Sequence, residues 1–376
     1  MRTRHELIEV LRAGPDAEPD APPPRPAPAG RVGAPRPLVV TALLTLLLVA
    51  GVTGLSVGSV DVPWDTTWRV VLHRIGATAL VTPDWTRAQE LIVIESRLPR
   101  VLLAGIVGAT LTVAGMVVQA VVRNPLAGPS VLGVSSGAAT GAVVVMRFGL
   151  LGLGAVTLNV AAFLGALATL AVVFAVARSG GQITALRLIL GGVAVGAVLS
   201  ALTSLLVLTS PDPSLASQVL FWTLGGFGAA RWNVLLLPAG VLLAGVVVLV
   251  SRARDLDLLL TGDESAGALG LDVHRFRQAM FVLVAILIGV AVAVSGVIAF
   301  VGLMVPHVVR FLVGSGHRRG LPVAVLTGAV FTILADLLAR TAISPEELPV
   351  GIVTALVGGP FFVWLLRRDA QGGAGR

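Results

Sequence analysis

Residues 99–122 read PRVLLAGIVGATLTVAGMVVQAVV. The run carries one charge, Arg100. As an α-helix at 1.5 Å per residue it spans about 36 Å, enough to cross a bilayer core of roughly 30 Å. Its glycines, Gly105, Gly108 and Gly115, suit helix contacts in lipid, where small residues let backbones approach. Similar runs lie at 38–59, 131–148, 153–177, 187–208, 234–251, 276–294, 297–313, 321–340 and 350–366, with Gly191, Gly192 and Gly196 a second small-residue cluster. The first run is longer than a signal-peptide core and no small-residue cleavage site follows, so it reads as a helix. Composition agrees: of 376 residues, 56% are hydrophobic and 12% charged, with a mean hydropathy of +0.94. A soluble globule carries about twice that charge. The fold class is therefore all-α, a polytopic membrane protein with about ten transmembrane helices.

Three segments follow. Residues 1–37 are rich in Pro and Arg, a composition that cannot bury enough apolar surface to order itself, and read as a disordered tail. Residues 38–368 form the helical bundle and 369–376 a short C-terminal tail. Most arginines fall on the side shared with the tail, so the positive-inside rule places both termini in the cytoplasm. Trp64, Trp68, Trp85, Trp222 and Trp232 then lie in outer loops, as an interfacial belt would.

Composition also excludes chemistry. All 27 Lys+Arg residues are arginines. With no lysine there is no P-loop and no Schiff base, so any ATP is hydrolysed by another chain. With no cysteine there is no disulfide or thiolate site. The five histidines (His5, His73, His274, His307, His317) are scattered, without zinc-site spacing. No catalytic or metal-ligating residue is expected. The net charge of +7 reports membrane orientation rather than nucleic-acid binding.

Four motifs stand out. Arg97-Leu98-Pro99-Arg100 opens the second expected span on the outer side, with both arginines on one face. Cations at a helix N-terminus oppose the macrodipole, so lipid phosphate or an acidic external partner should favour them. Arg340 follows Asp336 at i, i+4, spacing that suits an ion pair. Asp336 is also nearly the only acid inside an expected span, whereas an ion-coupled carrier usually needs intramembrane carboxylates. Arg123-Asn124-Pro125-Leu126-Ala127-Gly128-Pro129 breaks the backbone at the inner boundary. Beyond it, Gly133–Gly137 matches GxSxG, but a nucleophile elbow needs a strand-turn-helix setting, and pairing Ser135 with His307 is the weaker reading. Finally, in the inner loop 252–275, Thr261 with Glu264 forms a capping-box pattern and Gly270 a C-cap, delimiting a helix of about two turns.

Together these stretches resemble the FecCD family, the permease subunits of ABC importers for ferric siderophores, haem and cobalamin. The likeness runs from about 38 to 368. It is carried by RLPR at 97–100, RNPLAGPSVLGVSSGAATGA at 123–142, LILGG at 188–192, LLLTGDESAGALGLDV at 258–273, SGVIAFVGLMVPHVVR at 295–310, LADLLAR at 334–340 and ELPVGIVTALVGGPFF at 347–362. The resemblance implies a cobalamin-permease-like bundle that pairs with a second permease, identical or paralogous. A cytoplasmic ATPase dimer, holding ATP and Mg, drives it, and an extracytoplasmic binding protein delivers cargo. It implies docking of that protein at Arg97, Arg100 and Arg340, an inner constriction at Asn124 and Leu126, and ATPase coupling through Gly262, Glu264, Ala266, Leu269 and Gly270. The chain departs from the family at Ala185 and Leu186, where some members carry hydroxylic gate residues, and in its long N-terminal tail. A ferric siderophore is the expected cargo, with haem and cobalamin as alternatives and an ion-coupled secondary transporter as the remote rival.

Overall fold

The computed structural model of the chain describes residues 36–373, apart from 59, 61, 78–80, 129–131, 151–154, 180, 181 and 184. The expected N-terminal tail therefore lies outside the described residues, except at its end.

Fifteen α-helices are described: α1 (Arg36–Ser56), α2 (Trp64–Arg74), α3 (Arg87–Leu91), α4 (Leu98–Val122), α5 (Val134–Arg147), α6 (Ala155–Ala177), α7 (Ala185–Leu208), α8 (Leu215–Leu224), α9 (Trp232–Ser251), α10 (Ala253–Leu259), α11 (Asp263–Ala268), α12 (Val273–Ser295), α13 (Val301–Val313), α14 (His317–Thr341) and α15 (Val350–Gly373). A two-residue antiparallel pair, β1 (Arg178–Ser179) and β2 (Gln182–Ile183), lies between α6 and α7.

Every expected span contains a helix, and eight helices are long and apolar enough to cross a membrane. The other two, α5 and α13, have 14 and 13 residues, about 20 Å of helix, too short for the core alone. Backbone breaks shorten them. Gly133 before α5 has φ +70°, and Gly296 and Phe300 before α13 have φ +67° and +64°. The irregular stretch before α13 is sheltered by protein, with the Gly226 amide donating to the buried Ser295 carbonyl at 2.8 Å, as non-helical backbone at membrane depth requires.

Helix α4 is the centre of the bundle, buried almost throughout and packed against α12, α13 and α14. Two glycines make that packing possible. A Cβ on Gly108 would collide with the Gly328 carbonyl oxygen, and one on Gly328 with that of Gly108. Thr332 crosses the same contact, donating to the Ala104 carbonyl at 2.7 Å. By contrast α7 and α9 leave Leu190, Val193, Val198, Leu236, Leu237 and Leu243 exposed, faces that only lipid or another subunit can cover.

The RLPR segment does not begin a helix, contrary to the sequence expectation. The helical run starts at Arg87, where Thr86 and Gln89 form a reciprocal capping box, and continues to Val122. It passes the proline through a π-helical turn, Ile92–Arg97. Pro99 lacks an N–H and its ring would crowd the Glu95 carbonyl, so the wider turn accommodates it. Trp232 Nε1 donates to the Ile94 carbonyl within this turn at 2.9 Å.

Candidate functional site

The candidate side chains gather at the two ends of α4, whose 25 residues separate them by about 37 Å. At the first end, Arg97 is 4% exposed and its guanidinium donates to the Leu55 and Ser56 carbonyls at 2.9 and 2.8 Å, and to Val60. Arg340, 2% exposed, donates to the Gly54 and Val57 carbonyls at 3.0 and 3.2 Å. These are the last carbonyls of α1 and the residues just after it, the negative end of that helix dipole, which has no intrahelical donors. The two arginines thus cap α1 from neighbouring helices. For Arg97 the sequence reading sought an outside anion; the structure gives its guanidinium backbone carbonyls.

Arg100 sits between two acids. Its Nε and Nη2 lie 3.0 and 2.9 Å from Asp336 Oδ1, and its Nη1 lies 2.7 Å from Glu347 Oε2. Asp336, 1% exposed, also meets Arg340 Nε at 3.1 Å, so the expected i, i+4 pair exists as part of a larger network. Arg100 and Glu347 border a cavity of about 560 Å³ walled partly by Gly225–Ala229 and Phe221. Sequence reasoning missed Arg100–Asp336 and Glu347, which meet across 236 and 247 positions and leave no local pattern.

At the opposite end α4 closes with Arg123 in the left-handed region, φ +55°. The Arg123 and Asn124 amides donate back to the Ala120 and Gln119 carbonyls, a Schellman arrangement. Asn124 is exposed and its Oδ1 accepts from the Leu126 amide at 2.8 Å. Leu126 is 38% exposed. The turn is thus built from backbone and one amide side chain, with Leu126 held outward.

Beside it lies the 262–270 segment. Gly262, φ +111°, is the N-cap of α11. The expected capping box does not form: Thr261 Oγ1 donates to the Leu258 carbonyl instead, and Glu264 is exposed. The chain reaches Gly262 in a conformation Thr261 cannot cap, because a separate helix, α10, ends immediately before. Gly270 does close the helix as expected, with φ +89° and the Gly270 and Leu271 amides donating to the Gly267 and Ala266 carbonyls. Ala266 is fully buried, whereas Leu269 is 68% exposed, so the short helix is anchored by one face and presents Glu264 and Leu269 on another.

Asp263 joins this segment to the rest. It lies 3.2 Å from Arg123 Nη2 and 2.9 Å from Arg277 Nη2. Nearby, His317 Nδ1 meets Asp257 Oδ1 at 2.6 Å, and Arg310 Nη1 donates to Gln119 Oε1 at 2.7 Å. The structure therefore brings the Asn124–Leu126 turn and the 262–270 segment together and keeps both far from Arg97, Arg100 and Arg340. Leu186 is exposed at the start of α7; the Ala185 side chain lies outside the described residues.

A third feature escaped the sequence reading. A cavity of about 590 Å³ beside α5, α7 and α8 is lined by Ser135, Ser136, Ser200, Thr203, Ser204 and Thr223 interleaved with apolar side chains, and no charged side chain is among its lining residues. The i, i+3, i+4 spacing of Ser200, Thr203 and Ser204 was the signal that could have found it. Ser135 belongs to this wall. His307 is buried in α13 with Nδ1 against the Leu303 carbonyl.

The model of the FecCD transport family matches residues 46–368. The chain belongs to that family. Among similar FecCD relatives, the hemin transport system permease protein of Yersinia pestis is 41% identical over 345 residues, covering 91% of this chain and 98% of the relative. The ferric enterobactin transport system permease protein of Escherichia coli is 38% identical over 351 residues, covering 92% and 100%. A solved structure described as an inward-facing metal-chelate type ABC transporter superposes with a TM-score of 0.76 at 33% identity, covering 88% of this chain and 99% of that one. The FecCD chain is thus a membrane-embedded permease subunit of an ABC importer. Permeases of this kind work with ATPases and a second permease subunit.

Proposed function

We propose that this permease carries a ferric siderophore inward across a bacterial plasma membrane, with both termini cytoplasmic, driven by an ABC ATPase dimer that binds ATP and Mg. The observation that carries the energy source is Asp336. It is the one buried acid among the described residues and it is held by Arg100 and Arg340, so no free carboxylate stands ready to relay an ion. The 262–270 segment, with Glu264 and Leu269 outward, is the ATPase contact, and Gly262, Ala266 and Gly270 shape it. Asn124 and Leu126 form the inner constriction. The hydroxyl-lined cavity is part of the path wall, where weak hydrogen bonds let a polar chelate pass without trapping it. The path is completed by a second permease, a copy or a paralogue.

An extracytoplasmic binding protein docks at the Arg100 end. Arg97 and Arg340 serve that surface by fixing α1, and Arg100 at the cavity rim meets the partner's carboxylates by exchanging Glu347 for them. The siderophore reading is supported by the ferric enterobactin relative and the metal-chelate type neighbour. Hemin is the second reading, favoured by the Yersinia relative.

Uptake of radio-iron as ferric siderophore, or as hemin, by cells expressing the chain with its ATPase and binding protein tests this. Siderophore iron should accumulate and stop when the ATPase loses its Walker lysine. Accumulation that survives that substitution overturns the energy source; hemin uptake alone overturns the cargo.

A further inference from the structure

The helix proposed to meet the ATPase is short, and motion there must reach the rest of the bundle to open anything. Helix α11 packs on α10 and α12; its ionic connection to α4 is Asp263. One oxygen of that carboxylate lies 2.9 Å from Arg277 Nη2 and 3.2 Å from Arg123 Nη2. Arg277 is 7% exposed, and Asp263 is the one carboxylate within 4.0 Å of it among the described residues. It therefore anchors the acid from α12. Arg123 is different. Its side chain is 41% exposed, so burial does not hold it there, and it occupies a left-handed position where glycine would be the unstrained choice. Replacing it with glycine would remove the connection, because Arg123 immediately precedes Asn124 and reaches out of the turn to Asp263.

We propose that Arg123 is a positioning residue that links the ATPase-contacting segment to the inner constriction, so that displacement of Asp263 pulls on the Asn124–Leu126 turn. This rests on the proposed roles of those two segments. The geometry favours a pull rather than a push. An ion pair between two part-exposed groups resists separation over a few ångströms but transmits little compression, whereas α10, which packs directly on α4 and α14, is the element suited to pushing. Asp263 would thus draw the turn when α11 moves away from α4 and let it return when the ATPases release.

The test uses the complete complex of permease, ATPase and binding protein in liposomes, and reads iron chelate transported per ATP hydrolysed. Asp263→Asn is a poor probe because it strands buried Arg277. Arg123→Asn is better: asparagine tolerates the left-handed conformation and the Asp263–Arg277 pair stays. The ratio should fall at least fivefold in Arg123→Asn and return to within twofold in Arg123→Lys, which keeps the cation. An unchanged ratio in Arg123→Asn overturns the link and assigns transmission to the packing of α10 on α4. So does a loss that lysine fails to restore. A wild-type complex that transports without hydrolysing ATP would instead overturn the function on which the link rests.

Discussion

Arg97 shows how one side chain can decide where two helices meet. Hydrogen bonds from Arg97 and Arg340 end on carbonyls between Gly54 and Val60, the end of α1 that has no intrahelical donors of its own. Truncating Arg97 leaves the buried Leu55 carbonyl and two part-buried ones without their donor, and a buried unsatisfied acceptor costs about 1–3 kcal/mol. Arg97→Ala should therefore lower stability by about 2–4 kcal/mol, read as the loss of thermal midpoint of the purified permease in detergent. Arg97→Lys should recover only part of it, since an ammonium lacks the planar fork that serves several carbonyls at once. Equal midpoints for wild type and Arg97→Ala would show that α1 is held by apolar packing instead. The sequence alone marked this arginine as special but not why, because its partners lie 37 to 42 positions away and are backbone atoms with no residue signature.

At the scale of elements, the apolar runs located every span, because a hydrocarbon core imposes length and hydropathy more strictly than water does. They were less informative where helices are short. Helices α2 and α8 fell within expected outer loops, and α10 within an inner one; the longest, α2, has 11 residues and a polar composition. Of the glycines flagged by composition, Gly108 and Gly115 stand at carbonyl contacts where a Cβ cannot fit, whereas a methyl group added at Gly105 would meet its nearest neighbour at 3.5 Å and one at Gly191 at 3.7 Å. Sequence could not separate these cases, since all sit in equally apolar surroundings. The difference is measurable. Gly108→Val should abolish folded, monodisperse permease on size-exclusion chromatography, because beside the Thr332 side chain the added Cβ meets the Gly328 carbonyl oxygen, a backbone atom that cannot rotate away. Gly105→Ala should leave the profile and thermal midpoint unchanged within about 0.5 kcal/mol. A well-folded Gly108→Val would mean that α4 and α14 can separate without cost.

For the molecule as a whole, the same few charges that hold the frame also bear on the proposed energy source. Family resemblance suggested the roles proposed for the two ends of α4, but the networks that tie them together came only from the fold. Asp336 illustrates the point, since an isolated carboxylate in a span reads as an ion site while one bound by two arginines reads as a brace. Breaking a buried pair of this kind costs about 3–5 kcal/mol, so Asp336→Asn should lower the thermal midpoint substantially. What it should not change is the driving force. In liposomes carrying the full importer, the uptake that Asp336→Asn retains should still require ATP and be indifferent to a protonophore, and the permease alone, wild type or variant, should accumulate nothing under an imposed pH gradient. Gradient-driven accumulation by the permease alone, lost in Asp336→Asn, would make that carboxylate a proton carrier and the chain a secondary transporter. The geometry argues against it, because both oxygens of Asp336 are already engaged, by Arg100 and by Arg340.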